Sequence, residues 1–388
     1  MYKERLLMKY ESKFPRSEEL RYYFSPGRIN IIGEHIDYNG GLVFPCAISL
    51  GTYAIVSLRN DDEIHLYSES ISNAGVLRFR LSQQLHKRRN WADYVKGVIV
   101  QFKMMGYKVK KGFNAYVYGN LPRGASVSSS ASLELLFAEI IRDINKIKIS
   151  DIDLVKLCQK AENDFVGLNC GIMDQFAIGM SIKNNAILLD CATLKYEYVP
   201  LELKENVILI MNTNKSRSLV SSKYNDRCEE CSTGLKLIQE NYRKISNLCE
   251  LEENELAEIK DIINDDIIYN RVKHVVTEMK RVKDCYNSLK NGDLESVGKL
   301  LNESHKSLKE LYEVTGVELD SIVDFAQKSE GVLGARMIGA GFAGCAIAIV
   351  NKNEVNNVIN TVKKLYKDAI GYDCDILIAE TSDRTGRM

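Results

Sequence analysis

SPGRINIIGEHIDYNGG, residues 25–41, sets four glycines, a proline, an arginine, two carboxylates and a histidine around the short apolar stretch 29–32. Glycines at 33, 40 and 41 let the backbone turn tightly. Arg28, Glu34, His35 and Asp37 then project mixed donors and acceptors from a constrained loop. A site that reads several hydroxyl groups needs such a set held rigidly, although a polar surface turn has the same composition.

Two later stretches carry comparable chemistry. NLPRGASVSSSASLE, residues 120–134, runs small residues and serines into a helix predicted over 127–145, where Leu133, Leu136, Phe137, Ile140, Ile141 and Ile144 share one face. Free N–H groups at such a helix start, aided by hydroxyls, form a phosphate site, and a Ser-rich cap looks alike. The GxxxxGK[ST] loop is absent. In AENDFVGLNCGIMDQF, residues 161–176, Glu162 closes one predicted helix (151–166) and Asp174 opens the next, placing two carboxylates where a metal and a proton transfer can be served. A lone Asp early in a helix also simply complements the dipole. GAGFAG, 339–344, fits G-x-G-x-x-G but runs into the strand-like CAIAIV, with Lys363 and Lys364 where an acidic residue is required, so it reads as a turn between adjacent strands.

Around these segments, 42–58, 63–68, 113–118, 186–190 and 207–211 read as strands and 91–105 as a helix. Long helical patterns fill 217–241, 251–290 and 294–311, and strand, helix and strand follow between 332 and 379. The texture changes near 200–206. This predicts an α+β protein of two lobes, 1–205 and 206–388, with a ligand cleft between them.

At 388 residues the chain buries about three quarters of its surface without disulfides or a structural metal. Lys plus Arg and Asp plus Glu both number 52, so net charge gives no case for nucleic-acid or membrane-surface binding. The ten cysteines are scattered, and Cys228 and Cys231 form a CxxC in a helical pattern with no second pair. MYKERLLMKYESKF lacks the apolar core of a secretory signal, and no stretch reaches the ~18 apolar residues of a membrane span. Reduced cysteines, a cytoplasmic location and no nucleic-acid or membrane partner are expected.

Taken together, GRINIIGEHIDYNGG closely resembles the galactokinase signature of the GHMP small-molecule kinase superfamily. LPRGASVSSSAS resembles the superfamily's phosphate-binding motif and GARMIGAGFAGC its third, glycine-rich motif. CGIMDQF, SSKYNDR and RVKHVVTEMKRV are also similar to galactokinase stretches, in matching order from about residue 20 to near 380. The first motif separates galactokinases from mevalonate and homoserine kinases.

The resemblance implies an N-terminal lobe like ribosomal protein S5 domain 2, a ferredoxin-like C-terminal lobe, and transfer of phosphate from ATP to the anomeric hydroxyl of galactose with Mg²⁺. It implies Asp174 as catalytic base with Arg28 beside it, and Glu34, His35, Asp37, Gly171 and Tyr224 as sugar contacts. Ser130 and Glu162 fall at the magnesium positions. Gly124, Ala125, Ser126, Val127, Ser128, Ser129 and Ser130 form the ATP-phosphate loop, with Ser68 and Trp91 on the nucleotide side. The partners implied are galactose and ATP, and the chain is expected to be a monomer.

Ser126, Ala340 and Ala343 stand where the motifs usually have glycine. An alanine at φ > 0 costs about 1–2 kcal/mol. Ile36 replaces a frequent threonine and is expected to point away from the sugar. A kinase for N-acetylgalactosamine or another hexose shares this chemistry. A non-catalytic sugar sensor is the other alternative, and intact SSSAS, Asp174 and Arg28 argue against it.

Overall fold

Three sheets carry the molecule, seen in a computed structural model that describes residues 2–17, 19–122, 127–168, 170–216 and 220–388, with backbone alone for 2–6 and 220–222. The first sheet has six strands in the order Gly386–Arg387, Leu20–Asn30, Pro45–Leu58, Phe113–Gly119, Glu63–Ser68, Leu77–Arg80. Among the described residues only Glu63–Ser68 and Phe113–Gly119 pair in parallel. The apolar face of the helix Ser129–Asn145 lies on Leu20–Asn30 and Pro45–Leu58, flanked by Ala92–Met104, Asp151–Lys160 and Met173–Met180.

A four-stranded antiparallel sheet runs Val332–Met337, Cys345–Asn351, Asn206–Asn212, Asp375–Ala379. In chain order this is strand, helices, strand, strand, helix Val355–Ile370, strand, the ferredoxin-like arrangement. Asn206–Asn212 opens this sheet, whereas the chain end returns to the edge of the first. A three-stranded sheet, Leu42–Val43, Asn185–Asp190 and Tyr196–Pro200, contacts the long helix Asp266–Lys290. One hydrophobic cluster runs through both halves, from Ile29 and Phe137 to Ile210, Val276 and Val323. Among the described residues no helix is long and apolar enough to cross a membrane.

Several local expectations are corrected. The stretch 42–58 is two strands, Leu42–Val43 and Pro45–Leu58, because the chain changes sheets at Phe44. The pattern 251–290 breaks into Leu256–Ile262 and Asp266–Lys290. Asp265 caps the second helix by accepting from the amides of Ile267 and Ile268. The helix at 151–166 is α-helical only over Asp151–Lys160 and continues as a π-turn, Ala161–Val166. Half of the opening motif is strand: Leu20–Asn30 keeps its ladder through Pro26 and Gly27 by a register shift between them.

GAGFAG is the hairpin turn between Val332–Met337 and Cys345–Asn351. Its positive φ angles fall at Gly339, Gly341, Phe342 and Gly344, not at Ala340 or Ala343, so neither alanine carries the left-handed penalty. Ile36 is fully buried in the core.

Candidate active site

The bulge at Pro26/Gly27 sets the geometry. A Cβ at Gly27 would lie 2.8 Å from the Val127 carbonyl oxygen, so only glycine lets the serine loop come this close. Arg28 N–H then donates to that carbonyl at 3.3 Å. The Arg28 side chain, 5% exposed, is aimed at the first turn of Met173–Met180. There its Nε donates to Asp174 Oδ1 at 2.8 Å. The other carboxylate oxygen, Oδ2, accepts from Ser128 Oγ at 2.5 Å. Ser128 reaches it from φ 61°, a rare left-handed conformation for serine, immediately before Ser129–Asn145. Strain of this kind persists where surrounding structure fixes it. The result is a partly open carboxylate with a guanidinium on one oxygen and a hydroxyl on the other.

Glu34, His35 and Asp37 follow where the first motif leaves its strand. His35 also adopts positive φ (64°). Burial, reinforced by His274, lowers its pKa to about 3, so the ring is neutral. Burial, then the neighbouring Glu34 and Asp174 carboxylates, push Asp37 up to about 7. Tyr224, on Val220–Asn241, places its ring centroid 5.8 Å from that of His35. Gly171 sits against Asp37, and a Cβ there would lie 2.7 Å from Asp37 Oδ2. The structure thus joins Arg28, Ser128 and Asp174 in one group and Glu34, His35, Asp37, Gly171 and Tyr224 in another beside it.

Glu162 lies in the π-turn and is 6% exposed. Burial raises its pKa, partly offset by the neighbouring Ser130 hydroxyl, and its carboxylate accepts from Gln175 Nε2 at 2.7 Å. A hydroxyl and a carboxylate side by side are hard oxygen donors of the kind Mg²⁺ accepts, with its remaining positions left to water and phosphate. Among the described residues no group of three or more His, Cys, Asp or Glu is placed to hold a metal. Ser68 ends its strand and Trp91 immediately precedes Ala92–Met104, both largely buried. No hydrogen bond among the described residues joins either to Asp174 or Ser128. Gly124, Ala125 and Ser126 lie outside the described residues.

Several supporting residues escape a sequence reading. Arg336, with no exposed surface, donates from Nη2 to Glu34 Oε1 at 2.5 Å, and the Gly339 amide donates to the same oxygen at 2.9 Å. Glu278 accepts from the Gly33 amide at 3.0 Å, from Ser304 Oγ at 2.7 Å and from Arg281 Nε at 2.7 Å. Burial alone would raise the Glu278 pKa, but Arg281, His274 and Arg336 overcome it and hold it at about 2. His274 Nε2 meets the Glu34 carbonyl at 3.2 Å. The loop at Gly33 and Glu34 is therefore clamped from the second half of the chain. The signal was an arginine inside the apolar VLGARM and a His-x-x-x-Glu pair on one helical face, both inside quoted motifs but without a stated role.

The GHMP kinases N terminal domain matches residues 93–181 and the GHMP kinases C terminal domain residues 286–368. A mevalonate kinase of Methanococcus jannaschii shares the fold at TM-score 0.67 and 20% identity, over 95% of this chain and 100% of that one. Fold and family models together define a two-lobed small-molecule kinase of the GHMP class. The Galactokinase galactose-binding signature matches residues 8–58. A galactokinase of Fusobacterium nucleatum is 47% identical over 386 residues, 99% of each chain, and one of Clostridium perfringens SM101 is 51% identical over 358 residues, 92% of each. The crystal structure of Lactococcus lactis galactokinase complexed with galactose superposes at TM-score 0.95 with 44% identity, covering 100% of both chains. The chain belongs to the galactokinase family.

Proposed function

We propose that the protein transfers the γ-phosphoryl group of ATP to the anomeric hydroxyl of D-galactose, giving α-D-galactose 1-phosphate and ADP. The observation that carries this reading is the Asp174 carboxylate, paired with Arg28 and capped by Ser128, beside a loop rich in hydroxyl-binding groups. Phosphoryl transfer asks a protein mainly for positioning and charge stabilisation.

In this reading Asp174 accepts the anomeric proton as the sugar oxygen attacks the γ-phosphorus, and Ser128 yields its place on Oδ2. Arg28 holds the carboxylate and counters charge on the transferred group. Glu34, His35, Asp37, Gly171 and Tyr224 receive the sugar. Residues 124–130 cradle the ATP phosphates, and Ser68 and Trp91 face the nucleotide. Ser130 and Glu162 hold Mg²⁺, which when bound neutralises phosphate charge. The lobes divide at 205/206, apart from the chain end that returns to the first sheet, and the chain acts as a monomer.

Two results test these roles. Gly171→Ala forces Asp37 to move and should raise the galactose KM about 5- to 150-fold, the equivalent of one lost pairing worth ~1–3 kcal/mol, with the thermal midpoint little changed. An unchanged KM removes Gly171 and Asp37 from the sugar pocket. Ser130→Ala and Glu162→Gln should raise the Mg²⁺ requirement or lower kcat while galactose affinity stays close to wild type. Weakened galactose binding with unaltered metal dependence would show that these two residues serve the sugar instead.

A further inference from the structure

Behind the sugar loop runs a chain of polar atoms that the phosphoryl transfer does not use. His35 Nδ1 lies 2.9 Å from Tyr38 Oη, which lies 2.7 Å from Tyr312 Oη, which lies 3.0 Å from Cys231 Sγ. His35, Tyr312 and Cys231 are buried and Tyr38 is half-buried. The His35 and Tyr312 ring centroids are 4.9 Å apart. On the other side of the imidazole, Nε2 is buried with no hydrogen-bond partner, and the nearby backbone of Ala340 falls short of hydrogen-bond geometry.

The neutral ring carries its proton on one nitrogen, and the chain decides which. Each hydroxyl has a single proton, so the contact between Tyr38 and Tyr312 needs one of them to donate to the other. In one direction Cys231 S–H donates to Tyr312, Tyr312 to Tyr38, and Tyr38 to a bare Nδ1. In the reverse direction Nδ1–H donates to Tyr38 and a phenol proton ends on a thiol sulfur. Imidazole nitrogen is a good acceptor and sulfur a weak one. The first direction gives both phenols strong acceptors and leaves only the weak S–H donor at the end.

We propose that Tyr38, backed by Tyr312 and Cys231, fixes His35 as its Nε2–H tautomer, so that the imidazole presents a donor to the sugar; the second half of this rests on His35 being a sugar contact. With Nδ1 occupied, Nε2 is the ring nitrogen left for a substrate. A sugar hydroxyl can donate its proton to a carboxylate of Glu34 or Asp37 and accept from Nε2–H at once. A bare Nε2 and a carboxylate would instead compete for the same proton. Tyr38 is thus a positioning residue that makes the pocket demand one donor and one acceptor face from its ligand.

The test is ring-nitrogen NMR of the full-length protein labelled with ¹⁵N-histidine. The chain has five histidines, and His35 is assigned with His35→Gln. The expected wild-type spectrum shows His35 protonated at Nε2 and bare at Nδ1. Tyr38→Phe shifts the ring toward the other tautomer and raises the galactose KM more than it changes kcat. Tyr312→Phe removes the donor that backs Tyr38 and shifts the ring part of the way in the same direction as Tyr38→Phe. Protonation at Nδ1 in the wild type overturns the proposal whatever the variants do, and so does a His35 spectrum unaltered by Tyr38→Phe. Galactose should move the Nε2 resonance. If the tautomer is as stated but galactose leaves Nε2 unmoved, the sugar-contact reading fails and the donor role with it.

Discussion

Asp174→Asn should lower kcat by about 10²–10⁴-fold, the usual cost of losing a general base, while the fold and galactose binding persist. Asparagine is nearly isosteric and its amide oxygen can still accept from Arg28 Nε, which now meets Oδ1 at 2.8 Å. The amide nitrogen cannot accept the hydrogen bond that Ser128 Oγ gives Oδ2, nor can it take a proton from an attacking hydroxyl. The side chain is partly open and does not anchor the core. Turnover in a coupled ADP assay and galactose Kd by calorimetry separate the two effects. A variant with kcat close to wild type would remove Asp174 from the chemistry, and one that lost galactose affinity alone would make it a sugar contact.

Arg336→Met should destabilise the protein by about 3–5 kcal/mol, the cost of removing one partner from a buried ion pair. Arg336 has no exposed surface and spends its guanidinium on Glu34, the Met337 carbonyl at 3.0 Å and Ser304 Oγ at 3.3 Å, with Glu278 3.7 Å away. Methionine fills much of the volume but leaves Glu34 Oε1 with the Gly339 amide as its remaining hydrogen bond among those described. Adding Glu34→Gln should restore part of the loss by removing the uncompensated charge. The urea midpoint reads both effects. An Arg336→Met protein that unfolds with the wild type would show that the clamp on Glu34 contributes nothing.

The sequence made the chemistry legible where it concentrates in short segments. Arg28, Glu34, His35 and Asp37 lie within ten residues, and the glycines between them announce tight backbone. Helix Ser129–Asn145 was readable because its buried face repeats at helical spacing. The strand Leu20–Asn30 was hidden because Pro26, Gly27 and Arg28 read as loop, whereas a register shift carries them within the ladder. The break at 263–265 was written in Asp265 but masked by apolar periodicity on both sides. Long-range pairings such as Arg336 with Glu34, 302 positions apart, leave no local trace, since an arginine in an apolar strand does not name its partner. Nor could the spacing of the serines tell that Ser128 turns toward Asp174, which depends on one left-handed residue.

Whether the proposed pocket reads galactose and passes phosphate to it is decided by ADP release measured across a panel of free sugars. An acceptor group built for one hydroxyl is left unpaired when that hydroxyl points elsewhere, at ~1–3 kcal/mol each. Two such groups give roughly 10²–10⁴-fold in kcat/KM against glucose, the C4 epimer, far more than an apolar pocket could supply. Sugar-dependent ADP release with galactose strongly preferred is the expected result. Comparable kcat/KM for glucose and galactose, or no ADP released with galactose, would contradict it.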